Sequence, residues 1–189
     1  MSGETDRSRK RVLMLLERLG RLMQSRGHEL GLKPVQWEAL RYLSRANRFS
    51  RTPSGLTAYL GSTKGTVSQT LIALESKGLI RKKSDPGDRR AVRLELTAAG
   101  RRALGSDPLL EFAESVGALG KVGEGTLERN LTALLTERLE QIEGRPFGIC
   151  RTCTHFEKNA PEGKPHRCGL LELPLSADES EQICVEQES

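Results

Sequence analysis

The stretch TPSGLTAYLGSTKGTVSQTLIALESKGLIRKKSDPGDRRAVRLEL, residues 52–96, governs how the rest of the chain is read. It opens with Leu56 and Leu60 four residues apart, as on a short helix, and turns at Gly61-Ser62. Thr63 then stands as an N-cap whose hydroxyl can accept from the free amides of a first turn, ahead of Val67, Leu71 and Leu74 at i, i+4 and i+7. That spacing commits one face of the second helix to a core and leaves the other free. Gly78 is placed as the left-handed residue beyond the helix, with Leu79 packing back as in a Schellman stop. The period then changes to two: Leu79-Ile80 leads a strand, Asp85-Pro86-Gly87-Asp88 makes a turn, and Val92, Leu94 and Leu96 alternate inward. Helix, turn, helix and hairpin in this order make a winged helix-turn-helix, the hairpin tip being the wing.

The free side of the second helix carries Lys64, Thr66, Ser68 and Gln69, small or hydrogen-bonding residues at the end that would enter a major groove. No acidic residue intervenes before Glu75. From Arg81 to Arg93 the hairpin holds six basic residues (Arg81, Lys82, Lys83, Arg89, Arg90 and Arg93) against Asp85 and Asp88, the excess that phosphate neutralisation needs. A solvated hairpin would account for the charge alone. Helix, cap, stop and basic wing together point to nucleic acid.

LGSTKGTVSQTLIALESKGLI followed by DPGDRRAVRLELTAAGR resembles the MarR family of bacterial transcriptional regulators, over roughly residues 10 to 143. The resemblance implies a homodimer on double-stranded DNA with a pseudo-palindromic operator, each subunit laying its recognition helix in a major groove and a wing arginine in the neighbouring minor groove. Carried over by position, it implies that Lys64, Thr66, Ser68 and Gln69 face bases or phosphates, that Arg89 and Arg90 are the wing contacts, and that Asp88 braces the wing. Two positions depart from the family pattern: Gln69 stands where arginine is frequent, which favours adenine over guanine, and Thr57 replaces a usual alanine.

With 189 residues and 36% hydrophobic content, the chain has room for one full domain and an appendage, and is lean in apolar residues for a self-sufficient globule of that size. The formal charge of +5 hides an asymmetry: residues 146–189 carry four basic and eight acidic side chains, so the preceding part is strongly basic. No apolar run approaches the roughly 18 residues of a membrane span, and a cytoplasmic location without membrane attachment is expected. No nucleophile–base pair or phosphate-cradling loop is legible, so an enzyme is not expected.

Four segments follow: an N-terminal dimerisation helix in 1–33, the DNA-binding unit in 34–96, C-terminal dimerisation helices in 97–145, and a four-cysteine tail in 146–189. Asp6 to Gly27 places Val12, Leu15, Leu16, Leu19, Leu22 and Met23 on one side of a helix. Pro34 opens a second, with Trp37, Leu40 and Leu43 inward and Trp37 a core residue rather than a ligand platform. Beyond the wing, Thr97 caps a helix and Pro108 interrupts it or starts another. Gly117, Gly120, Gly123 and Gly125 break the pattern, and Thr126 begins a last helix with Leu127, Leu131, Leu134, Leu135 and Leu139 on one stripe. That stripe is the expected dimer core, since a lone subunit would leave it exposed.

All four cysteines, Cys150, Cys153, Cys168 and Cys184, lie in the tail with spacing C-x2-C-x14-C-x15-C. Four thiolates suit structural zinc or an iron–sulfur cluster. Zinc ribbons bring two C-x2-C knuckles, and only one is present here. The tail instead resembles the high-potential iron–sulfur proteins, with Phe156 soon after the pair and Cys168-Gly169-Leu170 at the third ligand, which implies a 4Fe-4S cluster. Few aromatic residues are present to shield it, and Phe147, Phe156, Leu170, Leu171, Leu173, Leu175 and Ile183 would make a thin shell suited to a sensor. Free or disulfide-switching thiols are a further alternative, and His155 and His166 read as solvated loop histidines.

The expected fold is therefore mainly α with a small β-wing, comprising a winged helix-turn-helix, a helical dimerisation region and an irregular metal-binding tail. The expected function is a dimeric transcriptional regulator, a repressor, sensing redox, oxygen or iron state through the cluster. The rival is a regulator of the same kind with a zinc tail, answering to a small aromatic effector. An electron-transfer protein is the reading from another class.

Overall fold

The computed structural model describes residues 2–25, 31–84, 92–160 and 165–188. Among the described residues the α-helices are α1 Ser2–Ser25, α2 Pro34–Arg45, α3 Pro53–Tyr59, α4 Lys64–Ser76, α5 Ala98–Leu104, α6 Leu109–Gly117, α7 Gly120–Gln141 and α8 Ala177–Ser180. The strands are β1 Ile80–Ser84, β2 Val92–Leu96, β3 Phe156–Lys158, β4 His166–Cys168 and β5 Leu173–Leu175.

Local chemistry sets most of the ends between α2 and α5. Pro34 occupies the first turn of α2, where its missing N–H costs nothing. The hydroxyls of Thr52, Thr63 and Thr97 accept from the amides of Gly55, Thr66 and Gly100, each cap contributing about 1 kcal/mol. At the end of α4, Gly78 has φ +68°, and the amides of Gly78 and Leu79 donate to the carbonyls of Glu75 and Leu74. This pair of bonds is the expected Schellman stop. The chain enters β1 directly, and β1 pairs antiparallel with β2, Ile80 opposite Leu96 and Ser84 opposite Val92.

The core sits in this winged unit. Trp37, Leu40 and Leu43 of α2 meet Leu56 of α3, Val67, Leu71 and Leu74 of α4, and Ile80 and Leu94 of the hairpin, all essentially sealed from solvent. Each such side chain contributes about 1.5–3 kcal/mol. Tertiary hydrogen bonds fix what lies beyond: Arg41 of α2 reaches Asp107 with two bonds, 2.7 and 2.8 Å, and Asp107 caps α6 by accepting from the Leu109 amide.

Three expectations need correction. The first helix begins at Ser2 rather than Asp6, and its expected end at Gly27 lies outside the described residues. The last long helix begins at Gly120, not at Thr126. The break is made by Gly120 alone, at φ +68°, while Gly123 and Gly125 continue the helix and the Thr126 hydroxyl donates back to the Val122 carbonyl instead of capping. Nor is the tail irregular. It forms a three-stranded antiparallel sheet, β3-β4-β5, with a 3₁₀ turn at Cys150–Thr152 and a helix α8 closed by a Ser176–Glu179 capping box.

Among the described side chains of α1, α6 and α7, none is sealed from solvent in this single chain. Leu15, Leu19 and Leu22 of α1 and Leu131, Leu134 and Leu135 of α7 remain 43–58% exposed. No helix among the described residues is long and apolar enough to cross a membrane.

Candidate nucleic-acid interface and sulfur cage

α4 presents a free face. With Val67, Thr70, Leu71 and Leu74 turned into the core, Lys64, Thr66, Ser68 and Gln69 are all exposed. On that face the Thr66 hydroxyl lies 2.9 Å from that of the Thr63 cap. Ile72 adds an exposed apolar side chain to that side, one that sequence reading passed over. A concave surface joins α4 to its neighbours, lined by Ser54 and Thr57 of α3, Lys64 and Ser68 of α4, and Lys82 and Val92 of the hairpin. Thr57 thus faces the same groove as the recognition helix, although its hydroxyl donates to the Pro53 carbonyl.

The hairpin is less free as a phosphate binder than its residue count suggests. Lys82 pairs with Glu75 at 2.8 Å, and Arg81 and Lys83 both reach Glu95, at 2.6 and 3.0 Å. Glu75 of α4 and Glu95 of β2 hold their protons weakly, the hydrogen bond from Lys82 drawing Glu75 down and that from Lys83, then Arg81, drawing Glu95 down. The expected turn at residues 85–88, with Asp88 and the wing arginines Arg89 and Arg90, lies outside the described residues.

The tail folds back on the winged unit. Phe147 inserts edge-on against Tyr42 and Tyr59, with ring centroids 6.1 and 5.2 Å away. Ile183 threads between two segments: its amide donates to the Arg45 carbonyl and its carbonyl accepts from the Asn47 amide. The Val185 amide donates to the Ser50 hydroxyl, and Arg48 holds both Glu179 and the Pro174 carbonyl. The connector between α2 and α3 is thus the tail's docking surface.

At that surface all four cysteines line one small cavity of about 20 Å³ that opens to solvent, with Phe156, Leu170 and Leu175 as apolar walls and His155 and Glu186 also in the lining. Cys150 and Cys184 are buried, Cys153 and Cys168 half-buried, and none of the four is joined in a disulfide. Among the described residues no three cysteine, histidine or acidic side chains gather as closely as a single metal ion requires. Cys150 and Cys184 are in hydrogen-bond contact with each other.

Their surroundings treat the two buried thiols oppositely. The Asn47 side-chain amide donates to the Cys150 sulfur at 3.2 Å, fully buried. Cys184 receives hydrogen bonds from Cys150, Asn47, the Glu186 amide and the Ser50 hydroxyl. The bond from Cys150 outweighs burial and, with the others, lowers the Cys184 thiol to about 6, while the same bond and burial push Cys150 up. His155 does not stand free in a loop but meets Glu188 at 3.1 Å. His166 belongs to β4 and packs on the Phe156 ring, its Nδ1 buried without a partner. Asn47 and Ser50 are the site residues that sequence reading missed. Nothing local marks them, since their partners lie more than a hundred residues away.

The MarR family model matches residues 30–91. The MarR-like part of the fold recurs in solved structures. A MarR family transcription regulator aligns at 22% identity with a TM-score of 0.61 over 76% of this chain and 97% of its own. The transcriptional regulator BldR of Sulfolobus solfataricus aligns at 22% identity and 0.55, over 72% and 99%. The MepR–DNA complex of S. aureus aligns at 22% identity and 0.54, over 67% and 92%. Similarity at this level establishes the winged-helix fold. None of the curated proteins compared matches the chain.

Proposed function

We propose that the protein is a homodimeric, non-enzymatic transcription regulator that binds double-stranded DNA with α4 and reports redox, oxygen or iron state through a cluster held by its tail. The observation that carries the DNA-binding part is the exposed polar face of α4 on a helix otherwise sealed by its core side. The MarR family match over 30–91 and a structural neighbour solved with DNA support the same reading. In a dimer, two such helices about one duplex turn apart would fit a pseudo-palindrome. The bare leucine rows of α1 and α7 supply the apolar surface a second copy would cover. Selection of bound duplexes from a random pool tests this: enrichment of a pseudo-palindrome holding two chains is expected, and binding without sequence preference or with one chain per duplex would refute it.

For the tail, the donor set is all sulfur, the walls are apolar, and Asn47, Ser50 and the Glu186 amide aim donors at Cys150 and Cys184. An all-sulfur donor set fits an iron–sulfur cluster, and a single C-x2-C pair departs from the two knuckles of a zinc ribbon. When bound, a 4Fe-4S cluster would supply one-electron redox change and sensitivity to oxidants. Cys150, Cys153, Cys168 and Cys184 would hold it, Phe156, Leu170 and Leu175 would limit water, and the open mouth would admit small oxidants. Anaerobically isolated protein should contain iron and acid-labile sulfide in equal amounts. A colourless protein with one zinc per chain would replace the cluster by the zinc reading.

A further inference from the structure

The connector between α2 and α3 meets the sulfur cage on one side and the DNA-binding elements on the other. Asn47 is its pivot. Its side-chain oxygen accepts from the amides of Phe49 and Ser50, at 3.1 and 2.9 Å, which fixes the turn. With the oxygen so engaged, the side-chain NH2 must be the group that faces the Cys150 sulfur, so the orientation of the amide is set by its partners. The same turn then runs into the winged unit. The Ser50 carbonyl accepts from the Tyr42 hydroxyl at 2.6 Å and from the Thr52 amide at 2.7 Å, and the Thr52 hydroxyl caps α3. The Arg51 carbonyl accepts from the Leu94 amide of β2 at 2.7 Å, and the Arg51 guanidinium returns to the Ala46 carbonyl. A contiguous series of hydrogen bonds therefore leads from a cage sulfur to the base of the wing and the start of α3.

We propose that Asn47 is a positioning residue that couples what the four thiolates hold to the posture of the wing and α3, and that its N–H donor also raises the electron affinity of the bound cluster. The inference rests on the cluster reading above. A donor to a ligating thiolate stabilises the added negative charge of the reduced state, so the reduction potential rises. Loss of the group leaves a thiol in place of a ligating thiolate, a weaker acceptor for Asn47. The turn that Asn47 also holds is then released from one of its anchors, and the wing base is bonded to that turn. Coupling needs such a differential contact in the two states, and here one residue makes it.

The test compares wild type, Asn47→Asp and Ser50→Ala, each reconstituted anaerobically. In Asn47→Asp the carboxylate still accepts from Phe49 and Ser50, so the turn is kept while the donor to sulfur is lost. One measurement is the midpoint potential, the electron coming from an electrode through a mediator dye. The other is the ratio of affinities of cluster-loaded and chelator-stripped protein for one selected duplex. Wild type is expected to show a ratio on the order of 5- to 150-fold. Asn47→Asp should keep its iron and sulfide, titrate at lower potential and bring the ratio close to one. Should it fail to load, Ser50→Ala decides: it removes the hydroxyl that faces Cys184 and receives the Val185 amide, and should shift both readouts in the same direction, by less. A loaded variant with both readouts unchanged overturns the inference and leaves the cluster reading standing. Wild type that takes up no iron overturns the cluster reading itself, and the inference falls with it.

Discussion

At the scale of single residues, the clearest stability determinant outside the core is Asp107. Burial raises its proton affinity, but two hydrogen bonds from Arg41, the Leu109 amide and the nearby Arg41 and Arg45 charges together hold it below the ordinary carboxylate range. Asp107→Ala should destabilise the fold by about 3 kcal/mol, measured by urea denaturation, because Arg41 is left buried without its partner. A folded-state pKa below the unfolded value of about 4 means this stabilisation is fully present above that pH and is lost as pH falls through the depressed value. The acid limb of the stability curve should therefore be shallower in Asp107→Asn. On the recognition face, Gln69→Ala should alter preference at one base position per half-site, read by competition among operator variants. Arg89→Ala with Arg90→Ala should weaken binding to all duplexes and flatten the slope of log affinity against log salt; an unchanged slope excludes phosphate contact by the wing tip. Residues whose task is local were legible: Thr63, Gly78 and Thr97 announce a cap or a stop within four positions. Asp107, 66 residues from Arg41, and Asn47, 103 residues from Cys150, carry no such mark.

At the scale of elements, α2, α4 and the hairpin follow their hydrophobic periods because each has one buried face and a polar remainder. α7 does not, since its glycines suggest a start at Thr126 while the helix runs from Gly120. Glycine in a helix costs about 1 kcal/mol, too little to stop one that neighbouring structure supports, and a single left-handed residue makes the boundary. The tail strands escaped notice for the opposite reason. Three-residue strands leave no readable alternation, and their pairing depends on contacts across the tail. The leucine rows of α1 and α7 lead to an expectation at this scale. Leu131→Asp combined with Leu134→Asp should yield monomers by sedimentation equilibrium and abolish binding to a two-half-site duplex, while the circular dichroism of α2 to α5 persists. A stable dimer would assign those rows another role.

At the scale of the whole molecule, the tail is tied into the head at several points. Phe147 closes the aromatic group of Tyr42 and Tyr59, Ile183 and Val185 bond the α2–α3 connector, and Arg48 holds α8 through Glu179. Phe147→Ala should cost about 3 kcal/mol and loosen both the tail and the winged unit, seen as faster amide exchange in each. A change confined to the tail would mean that the two parts move independently. The charge asymmetry between a basic body and an acidic tail was legible in the sequence, but not that Arg48 and Arg145 of the body hold Glu179 and Glu186 of the tail. The central claim is that DNA affinity depends on what the four thiols hold. It is tested most directly by measuring the affinity of one anaerobic preparation for its selected duplex before and after iron is removed. A difference on the order of 5- to 150-fold is predicted, and equal affinities would contradict the account.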